Sequence, residues 1–300
     1  GSVGIIDETT GRLAEGRVWS RGLHQLIEIK EGCKPSGEQV TLAQITYQRF
    51  FQRYLRLGGM SGTLREARSE LRTVYGLRVV KVALLRPSQR QSLPARLFQN
   101  REVLWQTVVS RAAQISRSGR PVLIGTDSVA DSESLSTQLT RAGLDHAVLN
   151  ARNDQREAQI VSEAGQAGRI TVATNMAGRG TDIPLGAGVA ERGGLHVINC
   201  QHNVSRRIDR QLIGRCARQG DAGSTQTLLS LDRPLISKLI PARMVRRIGA
   251  KGLQRPEWLV RLAICAPQFL EEGHQKAQRA DLLKHDLRAD RELAIGGHKE

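Results

Sequence analysis

Residues 170 to 183 read Ile170-Thr171-Val172-Ala173-Thr174-Asn175-Met176-Ala177-Gly178-Arg179-Gly180-Thr181-Asp182-Ile183. The first four residues are apolar or β-branched, which is typical of a buried strand. The polar loop that follows lies at the carboxyl end of this strand, where open α/β sheets bind their ligands. The glycines beside Arg179 allow a sharp turn and a close approach of a ligand, and Asp182 can accept hydrogen bonds from a sugar hydroxyl or contact a cation. The loop is therefore predicted to be a ligand site.

A second cluster follows about thirty residues later and reads Gln211-Leu212-Ile213-Gly214-Arg215-Cys216-Ala217-Arg218-Gln219-Gly220-Asp221. The pattern predicts a helix over residues 205–218. Arg215 and Arg218 are three positions apart, so on such a helix they share one face and can reach a single polyanion together.

Strands and helices alternate between residues 102 and 230. The predicted strands are 121–125, 146–150, 170–173, 194–198 and 225–229, and the predicted helices are 103–116, 128–142, 156–164 and 205–218. This order indicates an α/β fold with a parallel sheet covered by helices on both faces. The 300 residues contain no Gly-x-x-x-x-Gly-Lys-Ser/Thr, so this nucleotide-binding type of domain would borrow its phosphate cradle from elsewhere.

The flanking segments carry weaker patterns. Residues 41–57 have the apolar spacing of an amphipathic helix, and residues 79–85 resemble a strand. After Asp232 the chain becomes helical, and an apolar stripe predicts a long helix that docks on another body. The stripe consists of Leu259, Leu262, Ala266, Phe269, Ala277, Ala280, Leu283 and Leu287.

The composition narrows the classes of partner. The chain has 45 Lys and Arg against 29 Asp and Glu, a net charge of +16, which favours nucleic acid, nucleotide or an anionic membrane face. Its four cysteines are scattered without a Cys-x-x-Cys pair, which indicates reduced thiols of a cytosolic protein rather than a zinc or disulfide framework. His24, His146 and His196 have no ligand partners at metal-site spacing and are expected to be structural or surface imidazoles. No apolar run approaches the roughly 20 residues that span a bilayer.

An ordered series of motifs resembles the SecA family of preprotein translocase motor ATPases. The series consists of residues 3–12, 16–25, 28–32, 41–48, the helicase-type motif III at 59–63, motif V at 175–183 and motif VI at 214–221. The resemblance implies a RecA-like fold and ATP bound with Mg²⁺ between two such domains, both held largely by a phosphate-loop domain that this chain lacks. It also implies roles for single residues: Gly180 and Asp182 contact the nucleotide, Arg215 and Arg218 are arginine fingers, and Arg179, Gly62 and Thr63 couple the two motor domains.

The resemblance also implies a domain layout. Residues 1–32 would end a preprotein-crosslinking-like insert, 33–85 would form the tail of the first motor domain, 86–232 the second RecA-like motor domain, and 233–300 the start of a helical scaffold. Expected partners are a phosphate-loop motor domain in the same gene or in trans, a SecYEG-type translocon, preproteins and an anionic membrane surface. The expected location is cytoplasmic and peripheral, at the inner face of the plasma membrane.

The chain departs from the family pattern at two places. Residues 200–204 read Cys-Gln-His-Asn-Val where the family usually has Thr-Glu-Arg-His-Glu, and in motif VI Ile213 replaces an arginine and Ala217 a glycine. The departure at residues 200–204 removes charges expected at the hinge with the first domain, and the departure at Ile213 removes one cation from motif VI while its arginine fingers remain. Two alternatives to an export motor stay open. The departures favour a catalytically dead regulatory relative, and the motif types together with the net charge of +16 also suit the C-terminal domain of an RNA or DNA helicase.

Overall fold

The computed structural model describes residues 1–5, 13–14, 16–37, 44–149, 157–174, 181–238 and 257–296, with the backbone alone for Glu157 and 289–296. Seven strands lie in these ranges: β1 Gln89–Ser92, β2 Arg96–Phe98, β3 Val122–Thr126, β4 Ala147–Leu149, β5 Ile170–Thr174, β6 Leu195–Asn199 and β7 Ala222–Ser230. The described helices are α1 Leu23–Lys30, α2 Tyr47–Gln52, α3 Arg68–Tyr75, α4 Arg101–Arg117, α5 Val129–Arg141, α6 Glu157–Glu163, α7 Arg206–Ile213, α8 Pro234–Ser237 and α9 Glu257–Gly296. Among these helices, none is both long and apolar enough to cross a membrane.

The strands form one parallel sheet in the order β1-β7-β6-β3-β5-β4, and β2 also pairs with β7. Strands β3, β5 and β6 are buried along their whole length because helices cover both faces. Leu104 of α4 and Leu135 of α5 pack on one face, and Val161 of α6 and Leu212 of α7 pack on the other. The predicted α/β fold with a parallel sheet covered by helices on both faces is confirmed.

The edge of the sheet is a strand interrupted by a proline. β1 pairs with the start of β7 and β2 with its end, and Pro94 lies between them. Proline has no N–H to give to the ladder, so it is tolerated on an edge strand. The Leu93 N–H donates to the Thr225 carbonyl at 2.8 Å, and the Gln226 side chain donates to the Pro94 carbonyl at 3.3 Å. These bonds keep the edge in register.

Two predictions in the first 85 residues were wrong. Residues 79–85 form no strand, and Val80, Val82, Leu84 and Leu85 are exposed. Alternating apolar residues would place one face of a strand against a core. A strand also needs a neighbouring strand for its backbone hydrogen bonds, and within the described ranges no strand pairs with this segment. The predicted helix 41–57 is shortened to α2, where the Thr46 hydroxyl caps the Arg49 N–H at 3.4 Å, and residues 41–43 lie outside the described ranges.

The long helix was predicted correctly, but its docking face was wrong. Helix α9 packs through Val260, Ile264 and Gln268, and the first two form a cluster with Leu229 of β7. Leu262 and Phe269 of the predicted stripe stay 56% and 65% exposed. Both faces have helical spacing, so hydrophobic periodicity alone could not choose between them. The choice follows from polar partners that lie elsewhere in the chain.

Candidate nucleotide-facing site

The loop after α7 carries the two predicted arginine fingers. Helix α7 ends at Ile213, so Arg215 and Arg218 lie in a loop and the prediction that they share a helix face was wrong. After the helix has ended at its C-cap, Gly214, Ala217 and Gln219 adopt left-handed backbone conformations, with φ of 54° and 53°, and turn the loop. The two arginines reach a common site through this turn instead of through helical spacing.

Ala217 is a strained position in this loop. A left-handed conformation costs a residue with a Cβ about 1 kcal/mol more than glycine, which adopts it freely. We therefore expect Ala217→Gly to raise the free energy of unfolding by about 0.5–1 kcal/mol, as measured by urea denaturation. Ala142→Gly is the matched control, because Ala142 has a negative φ of −82° and gains nothing from glycine. Equal or lower stability of Ala217→Gly would contradict a strained loop.

The arginine loop meets the end of the motif V loop. Arg218 Nη1 donates to Asp182 Oδ1 at 2.7 Å, and Arg215 Nη1 donates to the Thr181 carbonyl at 3.3 Å. Arg218 Nε also donates to the Gly214 carbonyl at 2.9 Å, which fixes the base of its guanidinium. The two loops line a cleft of about 230 Å³ to which Asp182, Arg215 and Arg218 contribute. The structure thus brings together three of the predicted site residues.

The other predicted site residues lie elsewhere. Arg179 and Gly180 are outside the described ranges. Gly62 and Thr63 do not line the cleft. Thr63 is buried, and its hydroxyl lies 3.2 Å from that of Ser61. From the same segment, Glu66 forms an ion pair with Arg210 of α7, so the motif III segment contacts the helix that leads into the arginine loop.

A buried polar cluster behind the site was not predicted. Asp209 of α7 accepts hydrogen bonds from the Asn203 side chain at 2.6 Å and from Gln268 of α9 at 2.5 Å, and Gln268 also donates to the Asn203 carbonyl at 2.8 Å. Burial raises the pKa of Asp209 to about 7, although these hydrogen bonds act in the opposite direction. His202 Nε2 lies 2.9 Å from the Ile264 carbonyl of α9. His202 and Asn203, two of the residues that diverge from the family pattern, thus tie α9 to the domain that contains the sheet by hydrogen bonds.

A second buried cluster lies at the carboxyl edge of the sheet. Arg233, which follows β7, forms ion pairs with Asp127 and, at 2.9 Å, with Asp131, and it donates to the Cys200 carbonyl at 2.8 Å. Burial raises the pKa of Asp127, and Arg233 opposes that rise. Asp131 lies in the first turn of α5, and its carboxylate binds Arg233 and Arg101. The cluster joins the ends of β3, β6 and β7.

Helix α9 contacts both α7, which leads into the arginine loop, and the segment of residues 46–70 that contains motif III. Arg206 of α7 forms an ion pair with Glu272 at 2.7 Å. Farther along the helix, Arg279 binds Glu70 of α3 through two bonds of 2.7 and 2.8 Å. Asp286 accepts bonds from the backbone and hydroxyl of Thr46 at 3.0 and 2.6 Å. These polar contacts along the helix determine which face of α9 docks.

The three histidines named in the sequence analysis have different surroundings. His196 is fully buried in β6, with Nδ1 2.7 Å from the Ser224 hydroxyl, and burial lowers its pKa to about 3. His146 Nε2 lies 2.7 Å from the Ser136 hydroxyl, and His24 packs 5.5 Å from the Trp19 ring. In the described part of the chain, no three His, Cys, Asp or Glu side chains come together as a metal site.

Two domain families match this chain. The SecA P-loop domain family matches residues 87–191 and 186–255, and the SecA DEAD-like domain family matches residues 6–72. The chain is 51% identical over 246 residues to protein translocase subunit SecA 2 of Nitrosospira multiformis. This alignment covers 82% of this chain and 37% of that protein. It is 47% identical over 302 residues to protein translocase subunit SecA 3 of Magnetococcus marinus, and this alignment covers 99% of this chain and 46% of that protein.

The chain therefore spans less than half the length of these two relatives. Among solved structures, the yeast DEAD-box splicing factor Prp28 overlays with a TM-score of 0.41 and 17% identity, covering 66% of this chain and 45% of that one. The SecA P-loop domain family alone matches more than half of the residues, and the DEAD-like family matches the segment before it. On these matches, the chain belongs to the SecA family.

Proposed function

We propose that this chain is part of an ATP-driven motor that moves polypeptides in the Sec export pathway. Its role is to supply motif V and the arginine fingers to an ATP site that a phosphate-loop domain completes. The observation that carries the proposal is the convergence of Arg215, Arg218 and Asp182 on one cleft. Membership of the SecA family and the names of its relatives, protein translocase subunits, support the direction of the proposal.

The proposed layout keeps the four segments predicted from the sequence. Residues 1–32 lead from an insert back to the first motor domain, residues 33–85 complete that domain, residues 86–232 form the second motor domain and residues 233–300 begin a helical scaffold. The sheet and its covering helices lie within the third segment, and α9 lies within the fourth. The match of the DEAD-like family to residues 6–72 supports the assignment of part of this region to a first motor domain.

The donor set of the cleft fits phosphate. Two guanidinium groups point to one cleft, and guanidinium binds phosphate oxygens through paired N–H groups. In phosphoryl transfer such groups stabilise the negative charge that builds up on the transferring phosphoryl group. We assign Asp182 and Gly180 to nucleotide contacts, Arg179, Gly62 and Thr63 to coupling between the motor domains, and most of the ATP and Mg²⁺ contacts to the phosphate-loop domain.

The proposed partners follow from the family. They are the phosphate-loop domain in the same gene or in trans, a SecYEG-type translocon and preproteins, and the proposed location is the inner face of the plasma membrane. The net charge of +16 supports contact with an anionic membrane surface, and it also suits nucleic acid, which we place second.

Complementation tests the proposal. We expect no measurable ATP hydrolysis by this chain alone, and hydrolysis after addition of a separately produced phosphate-loop domain from SecA 3 of Magnetococcus marinus. The physical reason is that the chain has no Gly-x-x-x-x-Gly-Lys-Ser/Thr to hold the phosphates. Phosphate release is measured for each half and for the mixture. Robust hydrolysis by this chain alone that is lost in Arg215→Ala would contradict the proposal.

A further inference from the structure

The contact between Arg218 and Asp182 occupies groups that the proposed function needs for a nucleotide. Asp182 Oδ1 accepts the Arg218 Nη1 bond at 2.7 Å and a second bond from the Ile183 N–H at 3.0 Å. Arg218 Nε is engaged by the Gly214 carbonyl. The predicted finger therefore donates from two of its three nitrogens to this chain's own loops.

Carboxylates in the cleft compete with an incoming anion for the guanidinium groups. Asp182 and Asp221 both line it together with Arg215 and Arg218, so two carboxylates accompany the two guanidinium groups. A guanidinium that donates to a carboxylate through Nη1 cannot present the same N–H to a phosphate oxygen. Phosphate must displace the carboxylate of Asp182 before it can bind that edge of Arg218.

We propose that Asp182 is a positioning residue that holds Arg218 in a parked orientation, in which the guanidinium binds this chain's own loops. A phosphate group releases the arginine by taking the place of the carboxylate. The inference rests on the proposed function, because it takes the phosphates of a nucleotide as the ligand. It adds a role to Asp182, whose carboxylate restrains the finger.

The exposure of the pair sets the strength of this restraint. The Arg218 and Asp182 side chains are 41% and 53% exposed, and ion pairs in such surroundings are weak. A phosphate group carries more charge than a carboxylate and can accept paired N–H bonds from guanidinium. The parked orientation is therefore stable enough to position Arg218 but weak enough for a polyphosphate to open.

Binding of inorganic tripolyphosphate to the full chain, measured by calorimetry at fixed salt, tests the inference. Tripolyphosphate has no sugar, so loss of a sugar contact at Asp182 does not affect the result. We expect Asp182→Asn to tighten binding about two- to fivefold relative to Asp221→Asn. Asp221 is the matched control, because it lines the same cleft and its substitution removes the same charge without releasing Arg218. In an Arg218→Ala background this difference should disappear.

Three results would overturn the inference: equal effects of the two substitutions, weaker binding by Asp182→Asn, or no binding by wild type and Asp182→Asn alike. Asp182→Ser provides a second variant, because its hydroxyl can still accept the Ile183 N–H while the carboxylate is gone. Thermal unfolding verifies that each variant folds. The complementation assay is independent of this measurement: it can succeed when the parked orientation is wrong, and it can fail when tripolyphosphate binding follows the expected order.

Discussion

Replacing Arg215 by alanine is expected to lower the rate of ATP hydrolysis by the complemented motor about 10³-fold or more. Arg215 lines the cleft next to Asp182 and reaches the Thr181 carbonyl, so its guanidinium lies where the phosphates of a nucleotide are proposed to bind. An arginine finger acts mainly on the transition state, in which charge spreads over the transferring phosphoryl group. The turnover number should therefore fall far more than the Michaelis constant rises.

Arg141→Ala is the matched control, because Arg141 is exposed at the end of α5 and does not line this cleft. Its turnover should equal that of the wild type. Arg215→Lys separates charge from geometry, since lysine keeps the charge but lacks the planar fork of donors. We expect Arg215→Lys to recover only a small part of the rate. Wild-type turnover in Arg215→Ala would remove this residue from the proposed catalytic machinery.

The fold of the central domain could be predicted from local patterns. Strands β3, β5 and β6 are short apolar and β-branched runs. Helix α5 begins after its N-cap Ser128 and ends at Arg141, shortly before Gly143. In such a domain local propensity, apolar periodicity and the buried sheet agree with one another. The sequence therefore predicted the parallel sheet and placed the motif V loop at its carboxyl edge.

The site was predicted in part and for a partly wrong reason. Arg215, Arg218 and Asp182 do meet, but α7 ends at Ile213, before the arginines that it was expected to align, and Ala217 and Gln219 turn the loop that carries them. Left-handed conformations at residues with a Cβ are uncommon, so propensity does not anticipate them. The strain in this turn is offset by tertiary contacts that a linear pattern does not contain.

Sequence patterns could not predict the contacts between distant segments of the chain. The docking face of α9 depends on Gln268 meeting Asp209 and on Glu272 meeting Arg206, pairs that lie 59 and 66 residues apart. A polar residue in an amphipathic helix is normally assigned to solvent, which is why the apolar stripe was favoured. Buried polar groups that satisfy one another override that assignment.

Arg233→Ala is expected to lower the free energy of unfolding by about 3–5 kcal/mol, the cost of leaving buried charges without their partner. The Arg233 side chain is 4% exposed and is bound to Asp127, to Asp131 and to the Cys200 carbonyl. Removing it leaves the buried carboxylate of Asp131 and the partly buried carboxylate of Asp127 close together, with Arg101 as the ion-pair partner of Asp131. Urea denaturation measures the loss, and Arg141→Ala should stay within about 0.5 kcal/mol of the wild type.

The pH dependence of that loss separates charge from packing. Burial already raises the pKa of Asp127, and without Arg233 its pKa must rise further, so the variant takes up a proton as the pH falls. Uptake in the folded state removes the repulsion, and the difference from the wild type should shrink from pH 8 to pH 5. The combination Asp127→Asn, Asp131→Asn and Arg233→Met should be far more stable than Arg233→Ala, because no buried charge is left unpaired. A loss below about 1 kcal/mol, or one independent of pH, would show that the ion pairs do not hold the ends of β3, β6 and β7 together.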